Sequence, residues 1–426
     1  MQNKNIKLLY IYNCFTSLAI MNCANTVFLD KFFLRANIDL SSFGFIKGLM
    51  YLLPTISYFI LAPYLQKKEI NRELCIYGYL LRVSVPCLLP LIALFTDNIR
   101  ILTIASAVIL PIGMMTATFA NNSLMVIYRR ALPPESFNKY SNTMLMLLSL
   151  PANILGIPMA FFMDLFDKSD NRTFFWVYFL IQAICILAEY PAIRAMQKVV
   201  LHRAADQNIQ KNKLSDILMP YRDKKYSPIA LITLLHGIIY GSFSAYLVVY
   251  LMLTLQWKMS VIVILISIIG LLSNITLPIG GKITDKYGFP KVFVVQTAII
   301  FAATTMFCVF WNNIFILLIF FVLSWDSCAS IIGYWMTATE MGAGSNLAPK
   351  GAENYYVSAY NLCRSGGLFL GSFLAMPLYS LCEKLCGANN YSQIFRTYFS
   401  LWLIAIALLL IIASLNFIHA KARKIA

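Results

Sequence analysis

Six ionisable side chains, Lys47, Arg82, Glu189, His236, Asp326 and Arg364, fall inside long apolar stretches of this 426-residue chain. A charge in hydrocarbon is costly, so such residues usually face a protein interior or an aqueous cavity and handle protons, ions or polar solutes. Counted along helices from opposite membrane faces, Asp326 and Arg364 both come out near mid-depth. They could form a buried pair that opens when a proton or solute arrives, or a permanent pair that holds helices together. Arg364 or Lys47 could instead take an anionic group, the guanidinium as a bidentate fork and the ammonium as a point charge. His236 has the titration range of a proton carrier, although a solitary membrane histidine is more often a packing residue.

Polar groups that could complete a site share the same stretches. They include Trp325, Tyr334 and Trp335 on one, Tyr240, Ser242, Ser244 and Tyr246 on another, and Asn13, Asn22, Asn25, Asn121 and Asn122 elsewhere. Aromatic and amide groups can stack on and hydrogen-bond a planar or hydroxylated solute, and equally well bond one membrane helix to another. Other chemistry lacks its residues. His202, His236 and His419 are far apart in sequence, and no clustered acid–base set lies near a membrane face. No phosphate-binding loop ending in Gly-Lys-Ser/Thr is present. Cys382 and Cys386, placed in the last outer loop, have no histidine nearby and match no strong zinc spacing. The expectation is therefore no enzyme, no cofactor and no metal.

The elements that must position these residues are twelve apolar stretches, near 7–29, 41–63, 74–95, 101–127, 141–163, 174–196, 227–254, 260–280, 292–311, 315–338, 355–379 and 397–419. Each is long enough, at about 20 residues, to cross a bilayer core as a helix. Period-two alternation is absent, so backbone groups must be satisfied within helices, and the fold class is an all-α membrane protein. A composition of 60% hydrophobic and 12% charged residues excludes an ordinary soluble domain. Met1 to Lys7 leads straight into the first stretch with no small-residue cleavage site, which reads as an uncleaved span.

The net charge of +16 would suggest nucleic acid in a soluble protein. Here most of the lysines and arginines, among them Lys67, Lys68, Arg72, Arg129, Arg130, Lys224, Lys225, Lys282, Lys421 and Arg423, fall on the face that carries the termini. That asymmetry places both termini in the cytoplasm and makes the lipid bilayer, rather than nucleic acid, the partner of the charge. The longest polar segment, residues 198–226, separates six stretches from six. The expected organisation is a bundle over 1–197, a cytoplasmic linker over 198–226 and a second bundle over 227–426. Leu132-Pro-Pro-Glu-Ser and Leu347-Ala-Pro-Lys-Gly follow the fourth and tenth stretches at an offset of 215 positions. Ala62-Pro-Tyr-Leu-Gln-Lys and Gly280-Gly-Lys-Ile-Thr-Asp follow the second and eighth at 218. Near-equal offsets indicate one six-helix unit used twice.

The most specific motif is Gly280-Gly-Lys-Ile-Thr-Asp-Lys-Tyr-Gly-Phe-Pro-Lys291. It resembles the loop of the major facilitator superfamily (MFS), Gly-x-x-x-Asp-Lys/Arg-x-Gly-x-x-Lys/Arg, with Gly281, Asp285, Lys286, Gly288 and Lys291 matching in order. Glycine permits a tight turn and close helix approach, and an acidic side chain can face the N-terminus of another helix. In the first half Lys67 stands in the place of Asp285 and Ile70 in that of Gly288. The antiporter motif on the fifth stretch is reduced to Gly156-Ile-Pro158.

The resemblance implies two pseudo-symmetric six-helix bundles that rock about a central site by alternating access. The first, fourth, seventh and tenth helices would line the cavity, which makes Arg82 and Glu189, on the third and sixth, structural. Asp285 would gate the inner face against residues 136–141, with Arg129 or Arg130 as partner. The expected activity is secondary active transport of a small polar organic solute, an organic anion first and a sugar-like solute next, as a symporter if protons couple to it. The protein would act as a monomer in a plasma or inner membrane. The alternative is a transporter-like sensor or scaffold that binds solute without moving it.

Overall fold

The computed structural model describes residues 2–24, 26–65, 72–131, 137–200, 218–311, 313–324, 330–347, 353–387 and 390–425. Sixteen helices and no strand occur among them. They are α1 Gln2–Ala24, α2 Thr26–Arg35, α3 Leu40–Leu65, α4 Arg72–Ser84, α5 Leu88–Phe95, α6 Ile99–Ala131, α7 Phe137–Leu165 and α8 Asn171–Gln197. The second set is α9 Met219–Arg222, α10 Ser227–Leu253, α11 Met259–Tyr287, α12 Phe289–Val309, α13 Ile314–Leu323, α14 Ile331–Leu347, α15 Glu353–Cys386 and α16 Tyr391–Ile425. Among the described residues eight helical stretches are long and apolar enough to cross a membrane, with shorter apolar helices at Leu150–Leu165 and Ile314–Leu323. Large apolar side chains such as Phe95, Leu165, Leu187, Leu385 and Ile404 stand exposed on them. Lipid, not water, is the solvent that tolerates such faces.

Three sequence expectations need correction in detail. The stretch 74–95 is two helices, α4 and α5, parted by a turn at residues 85–87. Pro86 sits in that turn, where a missing N–H and a ring clash end the helix. The stretch drawn to 338 runs on, because α14 continues to Leu347. Cys382 and Cys386 lie not in a loop but one turn apart near the end of α15, both as free thiols.

The contacts divide the chain into two units. One comprises residues 1–39, 56–212 and 257–267; the other comprises 40–55, 213–256 and 268–426. In the first, Tyr12, Cys75, Tyr79, Leu124, Tyr128 and Met196 pack a buried centre contributed by α1, α4, α6 and α8. Proline shapes it locally: after Pro151, the Ala152 N–H donates to Ser17 Oγ at 3.0 Å. Asp170 caps α8, accepting from the Thr173 N–H at 3.0 Å and its hydroxyl at 2.7 Å, and these bonds hold its carboxyl below the usual carboxylate range.

The second unit is built on α10 against α15. Their backbones meet at two facing pairs of glycines four residues apart, Gly237 and Gly241 on α10 and Gly367 and Gly371 on α15. A Cβ on Gly371 would lie 2.0 Å from the Ile238 carbonyl oxygen, and one on Gly241 would lie 2.4 Å from that of Leu368. Only glycine permits this approach, the usual means by which membrane helices pack without a hydrophobic drive between them. Beyond the crossing, aromatic rings fill the unit. Tyr246 stacks on Tyr379 at 4.6 Å, Tyr250 packs on Trp311 at 4.5 Å, and Phe307 stacks on Phe320 at 4.5 Å.

Candidate functional site

The α10–α15 crossing sets the backbone of Arg364 directly beside Gly237, one residue after His236. The two side chains consequently meet, with Arg364 Nη1 2.9 Å from His236 Nδ1. The third member comes from α14, whose Glu340 places Oε1 2.6 Å from the same Nδ1 and Oε2 3.9 Å from Arg364 Nη1. All three residues are buried, Glu340 and His236 completely. Tyr240, one turn beyond His236, closes the group with its ring centroid 4.6 Å from the imidazole and 5.8 Å from the Arg364 guanidinium carbon.

This arrangement has a definite hydrogen-bond logic. A single ring nitrogen either carries a proton and donates or lacks one and accepts. With a proton on Nδ1 the imidazole donates to Glu340, and Arg364 then points a donor at a donor. Without it, Arg364 donates to Nδ1, and the short contact to Glu340 needs a proton on the carboxyl. The position of one proton is therefore tied to how the guanidinium is held. His236 Nε2 and Glu340 Oε2 have no hydrogen-bond partner among the described residues, so the cluster has polar capacity to spare.

A second buried group belongs to the other unit. Glu189 on α8 is 1% exposed and accepts from the Thr16 hydroxyl of α1 at 3.2 Å, close to the Tyr12 hydroxyl, which lies 3.2 Å from Cys75 Sγ.

Of the remaining sequence candidates, Lys47 and Tyr246 have partners of their own. Lys47 is buried, and its ammonium donates to the Ser244 and Ala245 carbonyls at 2.9 Å each. Tyr246 belongs to the aromatic packing and donates to the Leu40 carbonyl at 3.0 Å. Trp325 and Asp326 lie outside the described residues, as does any pairing of Asp326 with Arg364. Asn22 and Asn121 fall within α1 and α6, but their side chains lie outside those described. Glu340 is absent from the sequence candidates because it lies two residues beyond the apolar stretch that ends at 338. The sequence does hold a signal, since no proline interrupts the chain between Ile331 and Leu347, and a helix that runs on through Gly342 and Gly344 carries Glu340 within it.

The sequence model of the Major Facilitator Superfamily matches residues 14–372. The chain belongs to the Major Facilitator Superfamily. Solved structures share the fold along nearly the whole chain. A bacterial homolog of the human lysosomal transporter Spinster, in an inward-facing and unoccupied conformation, aligns with a TM-score of 0.70 at 11% identity over 97% of each chain. The nucleoside transporter NupG aligns at 0.64 and 12% identity, over 95% of this chain and 99% of its own. A POT family transporter in complex with 5-aminolevulinic acid aligns at 0.65 and 14% identity over 96% of each. No curated protein matches the sequence.

In this MFS member the motif loop is mostly helix. α11 runs through Gly281, Asp285 and Lys286 to Tyr287, and the chain turns at Gly288, whose φ of 79° is a backbone state glycine tolerates best. Close approach falls to Gly280, where a Cβ would lie 2.8 Å from the Trp335 ring, and not to Gly281, which has nothing within 4 Å. Lys286 and Lys291 stand over the Tyr287 ring at 5.1 and 4.8 Å. Asp285 is exposed, and the side chains of Arg129, Arg130 and residues 136–141 proposed to face it lie outside those described. The loop does reach the cluster through α14. Thr284 lies 3.4 Å from Thr339, whose hydroxyl also accepts from Gln296 Nε2 at 3.3 Å, and Thr339 immediately precedes Glu340.

Proposed function

We propose that this MFS protein is a secondary active transporter that moves a small organic anion together with a proton, with the bundles over 1–197 and 227–426 alternating in access. The observation that carries this reading is the shared contact of Glu340 and Arg364 with His236 Nδ1. With a single proton on Nδ1 of the imidazole and an ionised Glu340, the cluster sums to zero, Glu340 against Arg364. An added proton leaves one positive charge in a dry interior, where an unpaired charge is costly. A carboxylate or phosphate on the solute cancels it, and the guanidinium is the side chain best shaped to hold either. Proton and anion then favour each other's binding, which is the thermodynamic requirement for coupling. The POT family neighbour binds 5-aminolevulinic acid, a carboxylate-bearing solute, on the same fold. The asymmetry of basic residues supports cytoplasmic termini, with the linker on that face.

Proteoliposomes test the reading. An inward proton gradient should drive concentrative uptake of a labelled carboxylate solute, and Glu340→Gln should abolish accumulation while sparing exchange of internal for external solute. Uptake of neutral sugars with no response to the gradient would favour the sugar-like reading. Binding without exchange would mark a sensor.

A further inference from the structure

Of the ten cysteines in the chain, only Cys382 and Cys386 stand within four positions of one another. In the last turns of α15 they occupy positions i and i+4, which lie one above the other on a single face of a helix. That face meets α16. Cys386 Sγ lies 3.5 Å from Thr397 Oγ1, and Cys382 is an electrostatic neighbour of both Cys386 and Tyr398. Cys382 is completely buried, and its thiol makes no hydrogen bond among the described residues, whereas Cys386 is half-buried at the helix end.

Thiols at this spacing suit one chemistry and not another. Side chains one turn apart have Cβ atoms about 5–6 Å apart and a disulfide needs about 3.5–4.5 Å, so the two cannot join while the helix stays wound. An ion held in line by two metal–sulfur bonds of about 2.3 Å spans about 4.6 Å between sulfurs, which side chains leaning together from those Cβ positions reach with the backbone unmoved. The donor count then selects the ion. No third histidine, cysteine, aspartate or glutamate joins the pair among the described residues. Structural zinc takes four protein ligands, whereas copper(I) prefers soft thiolates and is content with two.

We propose that Cys382 and Cys386 form a two-coordinate site for a soft monovalent metal ion, copper(I), at the end of α15. Binding needs no oxidant or reductant: each thiol releases its proton to water as its sulfur bonds the ion, so two protons leave as one positive charge arrives. The site gains one negative charge, with Lys384 in the same turn to offset it. Once Cys386 is a thiolate it can only accept, and the Thr397 hydroxyl becomes the donor in a charge-assisted bond from α16. The ion enters at the helix end, where Gly387 is exposed, and Cys382 lies about 6 Å further along the axis at 1.5 Å per residue. None of this depends on what the protein transports.

The test uses the full chain, purified in detergent with ascorbate, and copper(I) supplied as its coloured bicinchoninate complex. The parent should draw off one equivalent more than Cys382→Ser or Cys386→Ser, because the other eight thiols are common to all three. A double variant, Cys386→Ser with Lys384→Cys, keeps ten cysteines but sets the pair two residues apart, where side chains do not face each other. It should bind no more than the single variants. Copper(I) should also raise the melting midpoint of the parent and not of the double variant, since an ion held by the folded state stabilises it by mass action. X-ray absorption of the extra equivalent should show two sulfur neighbours. No excess in the parent overturns the inference, as does equal binding by the double variant or an ion with three or more protein ligands. Should Cys382→Ser not fold, the two variants at the helix end decide.

Discussion

Glu340 meets His236 across 104 positions of sequence, Oε1 to Nδ1 at 2.6 Å, and the contact ties α14 to α10 at the point where Arg364 of α15 also arrives. Three helices thus share one polar junction inside an apolar unit. A junction of this kind is expensive to make and more expensive to break in part, because removing one partner strands the others.

Glu340→Leu should therefore lower thermal stability in detergent by about 3–5 kcal/mol, since Arg364 keeps its charge and loses its nearest carboxylate. Adding Arg364→Met to that variant should restore much of the loss. Differential scanning fluorimetry of the two variants checks it. A double variant no more stable than the single one would show that the charges are not energetically linked.

The glycines give a prediction of opposite signs within one protein. Gly371→Ala places a methyl 2.0 Å from the Ile238 oxygen, which the α10–α15 crossing cannot accommodate without moving backbone. Overpacking of that order costs about 1–3 kcal/mol. Gly281→Ala, in the last two turns of α11 with open space around it, should be neutral or stabilising by about 0.5–1 kcal/mol, as alanine suits a helix better. Melting midpoints of the two variants provide the measurement. Destabilisation by Gly281→Ala would mean that this glycine meets a neighbour when the protein changes state.

The sequence made the helical membrane class, the repeat and the motif loop readable because each is written in local composition or spacing. Apolar runs of bilayer length, the 215 and 218 offsets and the Gly280–Lys291 pattern need no tertiary information. The site was half readable. His236 and Arg364 stand out as ionisable residues in apolar surroundings, whereas Glu340 follows the polar Thr337-Ala-Thr339 and looks like the edge of a span until α14 is seen to run on to Leu347. Which charges meet was out of reach, because pairing depends on helix rotation and crossing. The facing glycines of α10 and α15 settle both, and they become legible as Gly-x-x-x-Gly repeats only when the two helices are known to be neighbours. Lys47 was legible as an ionisable residue in apolar surroundings, but its partners were not. Its ammonium donates to the Ser244 and Ala245 carbonyls, backbone groups that no sequence pattern marks.

Thr339 offers the last prediction, because it joins the motif loop to the charged cluster. Its hydroxyl donates to the Trp335 carbonyl at 2.7 Å, accepts from Gln296 at 3.3 Å and approaches Thr284, which sits in the loop motif itself. Thr339→Val conserves the branched shape and removes the hydroxyl. The buried amide of Gln296, whose oxygen already lacks a partner among the described residues, would then lose this acceptor as well. An unsatisfied buried donor costs about 1–3 kcal/mol, so Thr339→Val should destabilise by that amount and Thr339→Ser by much less. A double-variant cycle with Thr284→Val separates packing from connection. Residues in contact within one hydrogen-bond network couple by about 0.5–3 kcal/mol, while independent sites add. Additive stability losses, with the pH dependence of solute uptake unmoved, would show that Thr339 only fills space; a coupling term with a shifted pH profile would show that the loop and Glu340 respond to one another through α14.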